Sequence, residues 1–177
     1  MKSNRRTWIL LLLLLVASAF QLRAQQTEAD RKLFEEFKAK AETGNGEAQH
    51  GLGDIYAFGR HGVTKDPVEG VKWYRKSAEQ GFEPAQYILG VTYENGDGVT
   101  QDYVEAVRWY RKSAGGVIAL PQYALGVCYA NGKGVTQDFV EPGKWYRIAA
   151  SQGYDEAQLS LGALYEKGDG VPNLNIS

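Results

Sequence analysis

Cys128 is the chain's one thiol, and His50 and His61 are its two imidazoles. A lone thiol cannot close an intrachain disulfide. Neither a Cys-x-x-Cys nor a His-x-x-x-His spacing is present, so no metal-ligand set is expected. Cys128 stands between Leu125 and Tyr129 at helical spacing, which predicts a small buried apolar residue rather than a nucleophile. Gly-x-Gly loops such as Gly96-Asp97-Gly98 and Gly132-Lys133-Gly134 invite a nucleotide-binding reading. They lack a preceding strand and the third glycine, and they read as turns instead. The window Tyr93 to Val104 has an acid and a glycine where a calcium loop needs them. Tyr93 and Val104, however, hold its first and last ligand places, and neither can bind calcium there. No serine elbow or paired Cys and His is available. The expectation is no catalytic residue, no cofactor and no metal, and a protein that is not an enzyme.

The elements that carry these loops repeat. Trp73, Trp109 and Trp145 are each 36 residues apart, and each is followed by Tyr and Arg. Upstream, Gln49, Gln86, Gln122 and Gln158 open a second set of columns. Leu52-Gly53, Leu89-Gly90, Leu125-Gly126 and Leu161-Gly162 continue it, and Tyr56, Tyr93, Tyr129 and Tyr165 close it. Each unit reads as helix A, a Gly-rich loop and helix B. Ala48, Leu52, Ile55 and Tyr56 recur at helical spacing in helix A, over about 47–58. Glycines such as Gly96 and Gly132 end helices by taking positive φ. Asp66, Asp102 and Asp138 stand where helix B needs an N-cap, and Pro67 fits a first turn. Helix B carries Val68, Val71, Tyr74 and Ala78 on one stripe, with Trp73 about 100° around the axis. A helix apolar on two sides is best placed between neighbours. The pairs Trp73-Tyr74, Trp109-Tyr110 and Trp145-Tyr146 are the expected stacking anchors.

The pattern closely resembles the Sel-one-like repeat (SLR) family, relatives of the tetratricopeptide repeat. In the second unit the residues that carry the likeness are Ala85, Leu89-Gly90, Tyr93, Gly96, Gly98-Val99, Asp102, Ala106, Trp109-Tyr110 and Ala114. The resemblance implies an all-α, right-handed α-α superhelical solenoid of stacked antiparallel helix pairs. It also implies an adaptor or scaffold role. Repeats are expected at about 47–82, 83–118 and 119–154, with a partial one at 155–171 and a tail at 172–177. Some cysteine-rich relatives act on cell-wall or β-lactam substrates. They carry paired cysteines, which this chain lacks, so a hydrolase of that type is only the alternative.

The ends differ from the middle. Lys2, Arg5 and Arg6 precede an apolar run from Trp8 to Val16, followed by small residues. That is the layout of a secretory signal peptide, expected over 1–24 with cleavage after Ala24 or Ala19. The run is short of the roughly 20 apolar residues of a membrane span. Together with the repeat type it suggests an exported protein, periplasmic or extracellular, of a bacterial envelope. Residues 25–46 are expected to form an N-terminal capping helix, with Leu33, Phe34, Phe37 and Ala41 on one face. In the fourth unit Leu174 stands where Asp would cap the next helix B, so the expectation is that helix A there closes the array, that the chain is truncated, or that a partner covers the face. In the third unit Pro142 and Gly143 replace Ala106 and Val107, and helix B there is expected to be the weakest.

Two surfaces remain. In tetratricopeptide-like superhelices helix A lines the concave side, and the resemblance places His50, Asp54, Tyr87, Val91, Tyr123, Val127 and Leu159 there. The column His50, Tyr87, Tyr123, Leu159 would suit an extended protein or peptide ligand, or it packs between adjacent helices A. The other surface is a basic stripe: Lys72, Arg75 and Lys76; Arg108, Arg111 and Lys112; Lys144 and Arg147. It offers a second alternative, the binding of an anionic envelope polymer. Glu69, Glu105 and Glu141 stand three residues before the first base of each group, a spacing that pairs charges on a helix. The net charge of −1 becomes more negative once the basic leader is removed, which argues against nucleic acid.

Overall fold

The computed structural model describes residues 4–168, and among them there are eight helices and no strand. They are α1 (Asn4–Glu42), α2 (Gly46–Phe58), α3 (Pro67–Glu79), α4 (Glu83–Asn95), α5 (Tyr103–Ser113), α6 (Ala119–Asn131), α7 (Glu141–Ser151) and α8 (Asp155–Lys167). Each packs against the next in sequence. The closest pairings are α2 with α3, α4 with α5 and α6 with α7, the three A–B units. The fold is therefore an all-α solenoid, with its core distributed along the stack. The expected tail at 172–177, with Leu174, lies outside the described residues.

Sequence-local chemistry sets the helix ends. Gly59, Gly96, Gly132 and Gly168 follow α2, α4, α6 and α8 with φ of 67, 79, 66 and 74°, a conformation that costs a residue with a Cβ extra energy. The Asp66 carboxylate accepts the Glu69 N–H at the start of α3. Asp102 accepts both the Val104 and Glu105 N–H groups at the start of α5. In the third unit Asp138 still accepts two backbone bonds, from Val140 at 2.6 Å and Glu141 at 2.8 Å. These bonds hold its carboxyl below the usual range. The helix nevertheless begins only at Glu141, two places later than Tyr103 in the unit before. Pro142 is the reason. It stands in the place of Ala106, whose N–H makes the first helical bond of α5, to Asp102. Proline has no such donor and disfavours helical backbone at the residue before it.

α1 runs unbroken from Asn4 to Glu42, with no break at Ala24 or Ala19. No glycine or proline interrupts that stretch, and leucine, alanine, glutamate and lysine all favour helix. No helix among the described residues is long and apolar enough to cross a membrane. Phe34 and Phe37 pack on the cluster of Ala41, Ala48, Leu52 and Ile55. His61, in the one loop with an extra residue, contacts Asp30 at 2.9 Å and ties that loop to α1.

The two aromatic columns of helix B divide the stacking between them. Trp109 is buried with Val71, Tyr74, Ala78, Ala85 and Leu89, so it reaches back to the preceding unit. Trp73 packs on the cluster of Ala41, Ala48, Leu52 and Ile55, which spans α1 and α2, and Trp145 on the cluster around Tyr110 and Leu125. Tyr74 and Tyr110 each retain 1% exposure. Val68 departs from the expected stripe: it is 55% exposed, as Val104 is 59%. The next unit's loop covers that end of the helix through backbone instead. A side chain on Gly98 would run into the Pro67 carbonyl, and one on Gly134 into that of Tyr103.

Candidate functional site

In helix A the Leu-Gly column forms a seat for the tyrosine of helix B. Leu52, Leu89 and Leu125 are fully buried. The glycine after each lets a ring lie directly on the helix backbone. A Cβ on Gly53 or Gly90 would stand 2.5 Å from the ring carbons of Tyr74 or Tyr110, and one on Gly126 no farther from Tyr146. The Tyr74 hydroxyl donates to Asp54 at 2.7 Å, and the Tyr110 hydroxyl to Glu94 at 2.7 Å. Burial first, and then these bonds, push both phenols far above their ordinary value. Burial also lifts the Tyr146 phenol to about 12.

The residues expected on the inner face stand around these seats. His50 is half-buried, its ring 5.7 Å from Tyr74 and 5.6 Å from Phe82. Tyr87 lies 5.9 Å from Tyr110, and Tyr123 lies 5.4 Å from Tyr146 and 5.2 Å from Tyr154. All three rings thus lean on a seated tyrosine or its flank, and each keeps part of its surface open. Val91 and Val127 are half-buried beside the second and third seats. Val91 also lines a cleft of about 180 Å³ with Phe58, Lys65, Val71 and Ile88. Asp54 is committed to the Tyr74 hydroxyl, with Arg60 at 4.0 Å. Leu159 stands apart at 76% exposure.

On the basic stripe the first cation of each group pairs with the glutamate three places before it: Lys72 with Glu69, Arg108 with Glu105 and Lys144 with Glu141. Lys76 and Lys112 lie over the faces of Trp73 and Trp109, 3.8 and 4.0 Å from the ring centres. Arg75 and Arg111 donate to the hydroxyls of Tyr93 and Tyr129. Arg147 donates to the Gly143 carbonyl. Most of this charge is therefore spent within the solenoid, and exposed pairs of this kind contribute little.

Cys128 is 2% exposed, and burial, followed by the negative Glu94, lifts its thiol to about 11. It is a core residue with almost no thiolate at neutral pH. Among the described residues no group of three or more His, Cys, Asp or Glu is gathered closely enough to hold a metal ion.

The bonding roles of three sets of residues escaped the sequence reading. The Gln column bridges units: the side-chain amides of Gln49, Gln86 and Gln122 donate to the carbonyls of Ala41, Ala78 and Ala114, at the end of the previous helix B. Ser77 and Ser113 donate to the backbone at the start of helix A, at Gly46 and Glu83. Glu94 takes both Tyr110 and Lys133. The glycine seats had a legible signal. Glycine inside a helix costs about 1 kcal/mol against alanine, so one that recurs in register marks a close approach.

The chain matches the Sel1 repeat family over residues 46–82, 83–115, 122–154 and 155–177. Among curated proteins it is similar to the ERAD-associated E3 ubiquitin-protein ligase component HRD3A of Arabidopsis thaliana. The two are 29% identical over 75 residues, which are 42% of this chain and 11% of that protein. Among solved structures it is similar to a protective antigen present in uropathogenic Escherichia coli strains that displays an SLR fold. That likeness has 48% identity and a TM-score of 0.76, and covers 78% of this chain and 29% of the antigen. A Sel1 repeat protein from Oxalobacter formigenes is 35% identical with a TM-score of 0.72, over 84% of this chain and 63% of that one. The chain thus spans about a tenth of its curated relative and less than two thirds of either solved chain.

Proposed function

This chain belongs to the Sel1 repeat family, and from that premise we propose that it is an exported adaptor that binds protein or peptide along the inner face of helices A. Sel1 repeat proteins are protein-interaction modules. The observation that supports this surface is the column His50, Tyr87, Tyr123, Leu159. His50, Tyr87 and Tyr123 stand beside fully buried leucines on the same helices, yet they keep surface open to a ligand, and Leu159 is largely exposed. Rings anchored on one side and open on the other offer large contact area at little entropic cost. The test is capture of bound protein from the native source by the wild type and by a Tyr87→Ala, Tyr123→Ala double variant. Capture is expected to fall at least tenfold with the helical circular dichroism unchanged; undiminished capture would reject the groove.

Export rests on the basic start and the apolar run from Trp8 to Val16. The mature chain is expected to begin at Gln25, or at Phe20. The intact mass of the exported protein reads this directly, and retention of the leader counts against it. Hydrolysis and polymer binding remain weaker readings. The first finds no group of three or more His, Cys, Asp or Glu gathered among the described residues, and the second finds few uncommitted cations on the stripe.

A further inference from the structure

Between the first two units Ala57, Phe58, Pro67, Val71, Ile88 and Val91 line a cleft of about 180 Å³. Its walls are apolar, and the hydroxyls on them are already bonded. That of Tyr74 donates to Asp54, and that of Thr92 to the Leu89 carbonyl. One unit further along, the corresponding place is crossed by an ion pair. Glu94 is in register with Ala57, and Lys133 with Asp97. The Lys133 ammonium meets Glu94 at 3.1 Å and lies 5.2 Å from the centre of the Tyr103 ring. Glu94 also accepts the Tyr110 hydroxyl. In the first unit a methyl replaces that carboxylate and an acid replaces that base, so no such pair forms. Phe58 remains 59% exposed, with Arg60 over its ring at 4.8 Å. Lys65 and Asp97 stand at the cleft on different loops, and both are exposed. Asp97 accepts one long bond, from Asn95 at 3.3 Å. Neither it nor Lys65 enters an ion pair among the described residues.

We propose that this cleft anchors a peptide segment of a partner protein by one large apolar side chain, with an acidic neighbour of that side chain drawn to Lys65 and a basic one to Asp97. The proposal rests on the peptide-binding reading above and names the kind of residue the surface selects. Volume sets the size of the anchor. An apolar cavity of about 150 Å³ holds a benzene ring, so the cleft admits one phenylalanine or leucine side chain. The walls set its polarity. Their hydroxyls are already committed, so a polar occupant would lose its hydration with no bond in return. An apolar one removes water from Phe58, Ile88 and Val91 as well as from itself. The two unpaired charges set the flanks, because charges of opposite sign across an interface fix the register of what binds there. The first unit is thus distinguished from the second by a place that the chain's own side chains do not bridge.

The experiment titrates the full chain, labelled at its methyl groups for NMR, with a blocked peptide that has one phenylalanine between a glutamate and a lysine. Saturable one-to-one binding is expected, with the shifts centred on Ala57, Val71, Ile88 and Val91. Alanine in place of the peptide's phenylalanine should weaken it at least tenfold. The double variant Ala57→Glu, Asp97→Lys should do the same, since it copies the Glu94–Lys133 pair of the next unit. That pair already folds within this molecule, so the helical circular dichroism should be unchanged. Lys65→Glu leaves the cleft open and should weaken binding several-fold, with recovery when the peptide's glutamate is exchanged for lysine. No saturable binding, or binding indifferent to both variants, would overturn the cleft. Neither variant alters Tyr87 or Tyr123, so this failure is distinct from failure of the inner column. A peptide that Tyr87→Ala, Tyr123→Ala releases and the double variant retains would reject the cleft and keep the column. Self-association of the free chain that Ala57→Glu, Asp97→Lys abolishes would overturn the choice of occupant.

Discussion

The second unit and α8 carry nearly the same helix A, and they differ in what lies on it. In α4, Gly90 is covered by the ring of Tyr110, Tyr87 leans on that ring, and Glu94 holds its hydroxyl. In α8, Gly162 faces open space, and Leu159 and Tyr165 are 76% and 48% exposed. Only Ala157 of α8 is fully covered, against five residues of α4. The comparison separates two roles of one residue type. A glycine inside a helix is a local defect wherever nothing sits on it. It becomes a structural requirement once a ring does.

That contrast can be broken at a single atom. Gly90→Ala is expected to destabilise the fold by about 1–3 kcal/mol, since the methyl must displace a buried ring. Gly162→Ala is expected to stabilise the free chain by up to about 1 kcal/mol, the helix-propensity difference alone. Denaturant unfolding of the two variants reads the signs directly. Two losses of equal size would show that α8 is covered, and two gains that the seats are loose.

A smaller effect sharpens the same comparison through pH. The phenols of Tyr74, Tyr110 and Tyr146 are raised in the folded protein from their ordinary value of 10, the last to about 12. A raised folded value means that the neutral phenol is favoured in the native state. Each contribution is therefore complete below pH 10; that of Tyr146 is lost as pH climbs through about 12, and those of Tyr74 and Tyr110 persist higher. Stability followed over that range should fall, and Tyr146→Phe should make the fall shallower. A pH-independent profile would mean that the rings are not seated as described.

Much of the fold was open to a reader of the chain. Asp66 and Asp102 cap where their spacing requires, and Gly59, Gly96 and Gly132 turn the helix ends with positive φ. The glutamate–cation pairs of the outer stripe form at the expected three-residue spacing. These effects act within a few residues, so the pattern contains them. Val68 was misplaced because the end of its helix is covered by the backbone of a loop some thirty residues later while its own side chain stays exposed, and no periodicity encodes that. The late start of α7 follows from one proline that removes a specific backbone donor.

What the sequence determined by itself is the repeat: its length, its helix ends and its two apolar columns, because local geometry and helical periodicity act on neighbours along the chain. Only the tertiary structure decided which way each column faces. Trp109 turns back to the preceding unit and Tyr110 lies on Gly90 of its own. Three of the four glycine seats are filled among the described residues. Whether a ring rests on a helix depends on the separation of two backbones, a distance between elements that no single helix records.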